Sequence, residues 1–357
     1  MDVNDERLPV AVLGATGAVG QRFVALLADH PWFEVREVIA SARSAGKRYR
    51  DACEWLAPGA LPARVGELTV RALGDPVESR LVFSALDASV ARDAEEALAR
   101  AGKVVCSNAS SWRMDPRVPL LVPEVNPSHL ALLEAQTDWP GALLTNPNCS
   151  TIGLTLALKP LQDAFGLESV SVVSLQAMSG AGTPTLRTLD MLANVVPLIP
   201  GEEEKLEAET LKILGEFDED ALQPADLRLW AQCNRVPVVD GHTLCVTVQL
   251  EDEATEEDLL DVWRSFSSAP QELELPTAPD PVVVVHAEGP APQPRLHLDA
   301  GGGMAVHVGR VKSRDPRTWQ FTTLSHNTLR GAAGGSILVA ELALALGRLP
   351  GLRLSVE

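Results

Sequence analysis

Cysteine is sparse in this 357-residue sequence and shows no organisation. Cys53, Cys106, Cys149, Cys233 and Cys245 are odd in number and form no CxxC pair. That argues against a disulfide framework and against structural zinc, so no metal is expected. Positive charge is also short: 30 Lys+Arg face 48 Asp+Glu, a formal net charge of −18. An acidic surface repels nucleic acid and anionic membranes, and neither is an expected partner. No apolar run reaches the roughly 18 residues of a membrane span. The polar start MDVNDERLPV lacks the basic-then-apolar order of a signal peptide. There is no internal repeat and no low-complexity segment. What is present, 46% hydrophobic and 22% charged residues, suits a cytoplasmic globular enzyme with a substantial core. At about 150 residues per domain the length predicts two domains.

The first 150 residues alternate apolar runs with helical patterns. Leu8–Leu13, Phe33–Ala40, Leu81–Ala85 and Lys103–Ser107 read as strands, and Ala18–Ala28 and Val90–Ala101 as helices. That rhythm predicts parallel βαβ units and an open α/β sheet. Further on, Leu167–Gln176 and Gly241–Leu250 are β-rich without crossover helices of the same rhythm. They predict a mostly antiparallel sheet in an α+β second domain. Residues Ala269–Gly303 read as loops around an edge strand at Pro281–His286, and Asn327–Gly347 as an apolar helix that packs back on the first sheet. The expected division is 1–148 with 327–357, and 149–326.

Gly14-Ala-Thr-Gly-Ala-Val-Gly20 sits between the first strand and the first helix. Glycines there allow a tight turn, close approach of backbone to a pyrophosphate, and close helix–strand packing. The helix N-terminus offers free N–H groups to phosphate, so a dinucleotide is expected there. An NAD-specific site usually carries an acid at the end of the second strand. Here the segment is Ala40-Ser-Ala-Arg-Ser-Ala-Gly-Lys47. Ser41 and Arg43 suit a 2′-phosphate instead, which favours NADP.

Asn146-Pro-Asn-Cys149 runs directly into a helical pattern. A thiol at a helix start has its pKa lowered from about 8.5 towards neutrality, which marks Cys149 as the candidate nucleophile. The other four cysteines lie in or beside apolar patterns and read as core. A thiolate needs an acid–base partner, and seven histidines compete for that role. His30 reads as a helix-end residue and His129 as a position on a polar helix. His286, His297 and His307 read as strand positions, and His326 adjoins the tail helix. His242 follows a glycine turn seven residues after Arg235, and becomes the candidate. A thiolate beside a nicotinamide suits formation of a thioester from an activated acyl group, followed by hydride delivery.

These motifs, with Ser107–Asp115, Val122–Asn126, Gln176–Gly182, Gly201–Lys205, Asn234–Pro237, Gly241-His242 and His326–Gly334, make the chain resemble the aspartate-semialdehyde dehydrogenases. The likeness is to their archaeal and fungal-like branch and covers nearly the whole length. It implies a Rossmann-type dinucleotide domain plus an α+β catalytic and dimerisation domain. It also implies reductive dephosphorylation of β-aspartyl phosphate by NADPH, and a homodimer or homotetramer. By resemblance Cys149 is the nucleophile, His242 the acid–base group, and Gln176 orients the acyl group. Arg235 matches the arginine that holds the substrate carboxylate, Glu202 the acid that pairs with its ammonium, and Lys205, Arg113 and Asn148 the phosphate ligands. Gly14, Thr16, Gly17, Ala18, Val19 and Gly20 match the phosphate turn, Ser41 and Arg43 the 2′-phosphate site. Ser179, Gly180 and Asn327 match the nicotinamide end. Two positions depart from the pattern: Ala42 replaces a frequent second serine, and Leu244-Cys245 stands where relatives usually place a Glu soon after the histidine. CoA-thioester reductases of the malonyl-CoA type and N-acetylglutamyl-phosphate reductases share the design. A non-catalytic NADP-binding sensor is the alternative outside enzymes.

Overall fold

The computed structural model describes residues 7–181, 191–218 and 221–353. Gly182, the end of one motif above, and the first six residues lie outside them. The chain forms two compact units. One comprises residues up to Leu121, Ser128–Asn146 and residues from Ser336 onward; the other comprises Val122–Pro127 and Pro147–Gly335.

The first unit is built on six parallel strands: β1 Leu8–Leu13, β2 Phe33–Ala40, β3 Arg71–Ala72, β4 Leu81–Ser84, β5 Val104–Ser107 and β6 Ala142–Thr145. Their order is β3-β2-β1-β4-β5-β6, the doubly wound arrangement of dinucleotide-binding sheets. The central strands are buried on both faces, which is why LPVAVL and LVFS read as continuous hydrophobic runs. Helix α1 spans Ala18–Leu26 and α2 Ala88–Arg100. Leu13, Ile39, Val82, Val105 and Leu143 share one core with Trp112 and Trp139, whose rings meet edge to face.

The second unit holds a six-stranded mixed sheet of β7 Leu167–Gln176, β8 Arg228–Arg235, β9 His242–Leu250, β10 Val283–His286, β11 Val306–Ser313 and β12 Thr318–Ser325. The order is β8-β7-β9-β12-β11-β10. The three inner pairings are antiparallel and the two outer ones parallel. The expected edge strand is β10, and the flanking segment carries one-turn helices at Ala269–Glu272 and Pro294–His297. Helix α3, Cys149–Phe165, is buried along most of its length, and α4 spans Glu202–Ile213. Helix α5, Glu256–Arg264, begins with a capping box at Thr255 and donates Trp263 Nε1–H to the Ala157 carbonyl at 2.8 Å.

The apolar tail is not one regular helix. A π-helical turn, Leu329–Ala333, precedes α6, Gly334–Ala345. Arg330 in that turn makes a two-pronged, fully buried pair with Glu124, one prong at 2.8 Å. In the first unit His30 bonds Glu341 of α6 at 2.6 Å, while its Nδ1 accepts from the Trp32 and Phe33 amides. His30 is thus a buried connector rather than a simple helix-end residue.

Three further expectations need correction. His129 is buried, in a 3-10 stretch, rather than lying on a polar helix. His297 ends a helical turn instead of a strand. Cys245 is exposed, because β9 alternates and Leu244, Val246 and Val248 take its buried face.

Candidate active site

In the first unit, Gly14 has φ +68°, and a Cβ there would lie 2.5 Å from the Ala85 carbonyl oxygen. A Cβ on Gly20 would lie 2.2 Å from the Gly14 oxygen. Both positions are therefore closed to any other residue. Gly17 caps α1 with no side-chain acceptor, so the amides of Ala18, Val19 and Gly20 begin the helix without a side-chain cap. Gln21 donates to the Thr16 carbonyl at 3.1 Å and the Tyr49 hydroxyl to the Ala15 carbonyl at 2.6 Å, which hold the turn in shape. Ser41 and Arg43 follow β2 and are exposed, and Arg43 has no ion pair among the described residues. An uncapped glycine turn and a free guanidinium past β2 fit a dinucleotide with a 2′-phosphate. Arg113 belongs to this same unit, nearly buried, with one Nη–H on the Asn108 carbonyl at 2.6 Å.

The second unit gathers the remaining candidates. Cys149 is the first residue of α3, and Asn148 is its N-cap. The Asn148 Oδ1 accepts the amides of Ser150 and Thr151, at 2.9 and 3.4 Å. Its Nδ2 donates to Glu202 Oε2 at 2.8 Å, and its own backbone N–H donates to Glu209 Oε2 at 2.6 Å. Glu202 also takes Lys205 at 3.2 Å one helical turn away, and Gln176 Nε2 at 3.4 Å. Glu202, Lys205, Gln176 and Asn148 are thus linked through one carboxylate.

His242, fully buried, places Nε2 3.2 Å from the Cys149 sulfur. Its Nδ1 accepts the Ala177 N–H at 3.0 Å, so the hydrogen of the neutral ring sits on Nε2 and points at sulfur. Burial, followed by the positive charge of Arg235, pushes the His242 pKa down to about 3. Arg235 is itself nearly buried, with Nη1 on the Ala177 carbonyl at 2.7 Å. Burial draws its pKa below the usual arginine value, while Cys149 and Glu202 oppose that change. A Cβ at Gly180 would stand 2.9 Å from Arg235 Nη1 and 3.1 Å from the His242 ring, so a side chain there would crowd both groups. Asn327 ties the region together: its Oδ1 accepts from Gly241 N–H and its Nδ2 donates to Ser179 Oγ, both at 2.8 Å.

Sequence patterns did not point to three contributors. The Ala177 amide carries no side-chain signature. Glu209 sits two helical turns from Glu202 and was hidden in an acidic run. Gly331 lies in the tail motif, and a Cβ on it would come within 2.5 Å of Cys149 Cβ. Among the described residues no group of three or more His, Cys, Asp or Glu is placed to hold a metal. None of their helices is long and apolar enough to cross a membrane.

Two family profiles match this chain. Semialdehyde dehydrogenase, NAD binding domain, covers residues 9–133, and Semialdehyde dehydrogenase, dimerisation domain, covers residues 158–330. The aspartate-semialdehyde dehydrogenase of Archaeoglobus fulgidus is 46% identical over 343 residues, 95% of this chain and 98% of its own length. That of Methanothermobacter thermautotrophicus is 48% identical over 343 residues, covering 93% and 98%. The crystal structure of the Candida albicans aspartate-semialdehyde dehydrogenase with NADP superposes with a TM-score of 0.87 at 40% identity, over 95% of this chain and 99% of that one. With its doubly wound sheet, glycine turn and paired Cys149 and His242, the chain belongs to the aspartate-semialdehyde dehydrogenase family.

Proposed function

We propose that the protein reduces L-aspartyl 4-phosphate to L-aspartate 4-semialdehyde and phosphate with NADPH, in the aspartate route to lysine, methionine and threonine. The observation that carries this is the Cys149–His242 pair: a sulfur at a helix start facing an N–H whose position is set by the backbone. Helix start and N–H donor both favour the thiolate. The sulfur attacks the acyl carbon, the C–O bond to phosphate breaks, and a thioester forms on Cys149. When bound, the reduced nicotinamide supplies the hydride that turns this thioester into an aldehyde. The aldehyde is released only as the C–S bond breaks, and the electron pair returns to sulfur against the His242 N–H. In this reading His242 is the acid–base group, holding the proton at Nε2.

Gln176 orients the acyl group. Arg235 holds the α-carboxylate through its planar fork, and Glu202 the ammonium. Lys205, Asn148 and Arg113 bind the phosphate. Gly14, Thr16, Gly17, Ala18, Val19 and Gly20 hold the pyrophosphate, Ser41 and Arg43 the 2′-phosphate, and Ser179, Gly180 and Asn327 the nicotinamide. Functionally, 1–148 with 327–357 form the NADP-binding domain and 149–326 the catalytic and dimerisation domain. The dimerisation profile supports a homodimer or homotetramer, and a biosynthetic role supports a cytoplasmic location.

The test is the reverse reaction with aspartate semialdehyde, phosphate and NADP, followed by absorbance of the reduced cofactor. Phosphate-dependent reduction supports the reading. No signal, with malonyl-CoA instead oxidising NADPH, replaces the substrate by a CoA thioester.

A further inference from the structure

Asn148 is held at three places. Its side-chain oxygen caps α3, its side-chain amide reaches Glu202, and its main-chain N–H reaches Glu209. Glu202 and Glu209 are both on α4, seven residues apart, hence two turns along one face. One carboxylate is assigned to substrate above; the other is almost entirely buried, at 2% exposure, and the reaction as written makes no use of it. A buried carboxylate is costly unless it accepts hydrogen bonds, and a 2.6 Å bond to a main-chain N–H is a strong charge-assisted one. The residue it grips immediately precedes the nucleophile.

We infer that Glu209 is a positioning residue for Cys149. By accepting the Asn148 N–H it fixes the start of α3, and so sets the sulfur against His242 Nε2. It also fixes the side-chain amide that Asn148 extends to Glu202, so that one asparagine links the substrate-binding helix to the nucleophile. The inference rests on the reaction proposed above for its kinetic readout, but not for its chemical one.

Glu209→Gln and Glu209→Leu separate the acceptor from the charge. Both remove the charge and keep similar bulk, but only Gln retains an oxygen for the Asn148 N–H. The first readout is the rate of Cys149 alkylation by iodoacetamide against pH, without substrate or cofactor. Glu209→Leu is expected to react about tenfold more slowly than Glu209→Gln near pH 7, with the two rates converging above pH 9. The second readout is steady-state kinetics. Glu209→Leu should lose about 10- to 100-fold in kcat relative to Glu209→Gln, with KM for aspartate semialdehyde within about threefold. Should the Leu variant not fold, Glu209→Ala carries the same comparison. Superimposed alkylation profiles for the Gln and acceptor-less variants would overturn the proposal. A wild-type protein with no dehydrogenase activity would overturn the reaction, while the alkylation comparison would still decide the role of Glu209.

Discussion

The main-chain N–H of Ala177 donates to Nδ1 of His242, and this bond decides what the histidine can do. With Nδ1 occupied as an acceptor, the resting ring is neutral and turns its one hydrogen, on Nε2, towards Cys149. The low pKa that burial imposes on His242 acts in the same direction. The Ala177 amide therefore orients the ring without any contribution from Leu244-Cys245.

Replacing the nucleophile gives the most direct prediction. Cys149→Ala should lower turnover by about a thousandfold or more while leaving NADP affinity, measured by calorimetry, within about twofold. A variant with wild-type turnover would remove the thioester route.

Gly331→Ala should act on the same cysteine through its backbone and Cβ. The added Cβ would stand 2.5 Å from Cys149 Cβ and 2.9 Å from its Cα, so the nucleophile or the π-turn must shift. We expect kcat to fall by about 100-fold, with a stability loss of about 1–3 kcal/mol. Urea denaturation and steady-state kinetics on one preparation check both, and an unchanged kcat would mean that the turn yields instead.

Arg235→Lys keeps the charge and removes the fork. Its Nη1 already serves the Ala177 carbonyl, and a single ammonium cannot offer the same planar set of donors. The expected result is a fall of about 10- to 100-fold in kcat/KM for aspartate semialdehyde, mostly through KM. Equal efficiency would place the carboxylate site elsewhere.

Acid should destabilise the second unit through its buried histidines. Burial, reinforced by His286 and His297, holds the His307 pKa down at about 4, against an ordinary 6.5. Below pH 6.5 the unfolded chain therefore binds a proton that the folded chain refuses. The stability is complete above that pH and is lost as pH falls towards 4, at about 1.4 kcal/mol per pH unit for each such histidine. His307→Gln should make the plot of unfolding free energy against pH shallower by that amount between pH 6 and 4.5. An unaltered slope would show that His307 is protonated in the folded protein.

The strands were legible because doubly covered strands are written as unbroken apolar runs and half-covered ones as alternation, and few other structures use either pattern. The glycine turn and Cys149 were legible for a related reason: only particular residues fit those backbone positions. What escaped was set by tertiary context. Cys245 reads as core until the register of β9 assigns its neighbours to the buried face. His30 looks like a helix-end residue until Glu341, 311 positions later, bonds it. Ala177 acts through its backbone, and Glu209 differs from the acids around it only in being buried.

The split composition of the first unit has a consequence for how the protein is made. Its sheet is complete once β6 has been synthesised, yet residues from Ser336 onward, including the Glu341 partner of His30, emerge only after the whole second unit. On the ribosome the nucleotide-binding unit must wait, with His30 Nε2 lacking its Glu341 partner, while the second unit is translated. Protection of nascent chains halted after residue 335 would therefore fall to chaperones rather than to the fold.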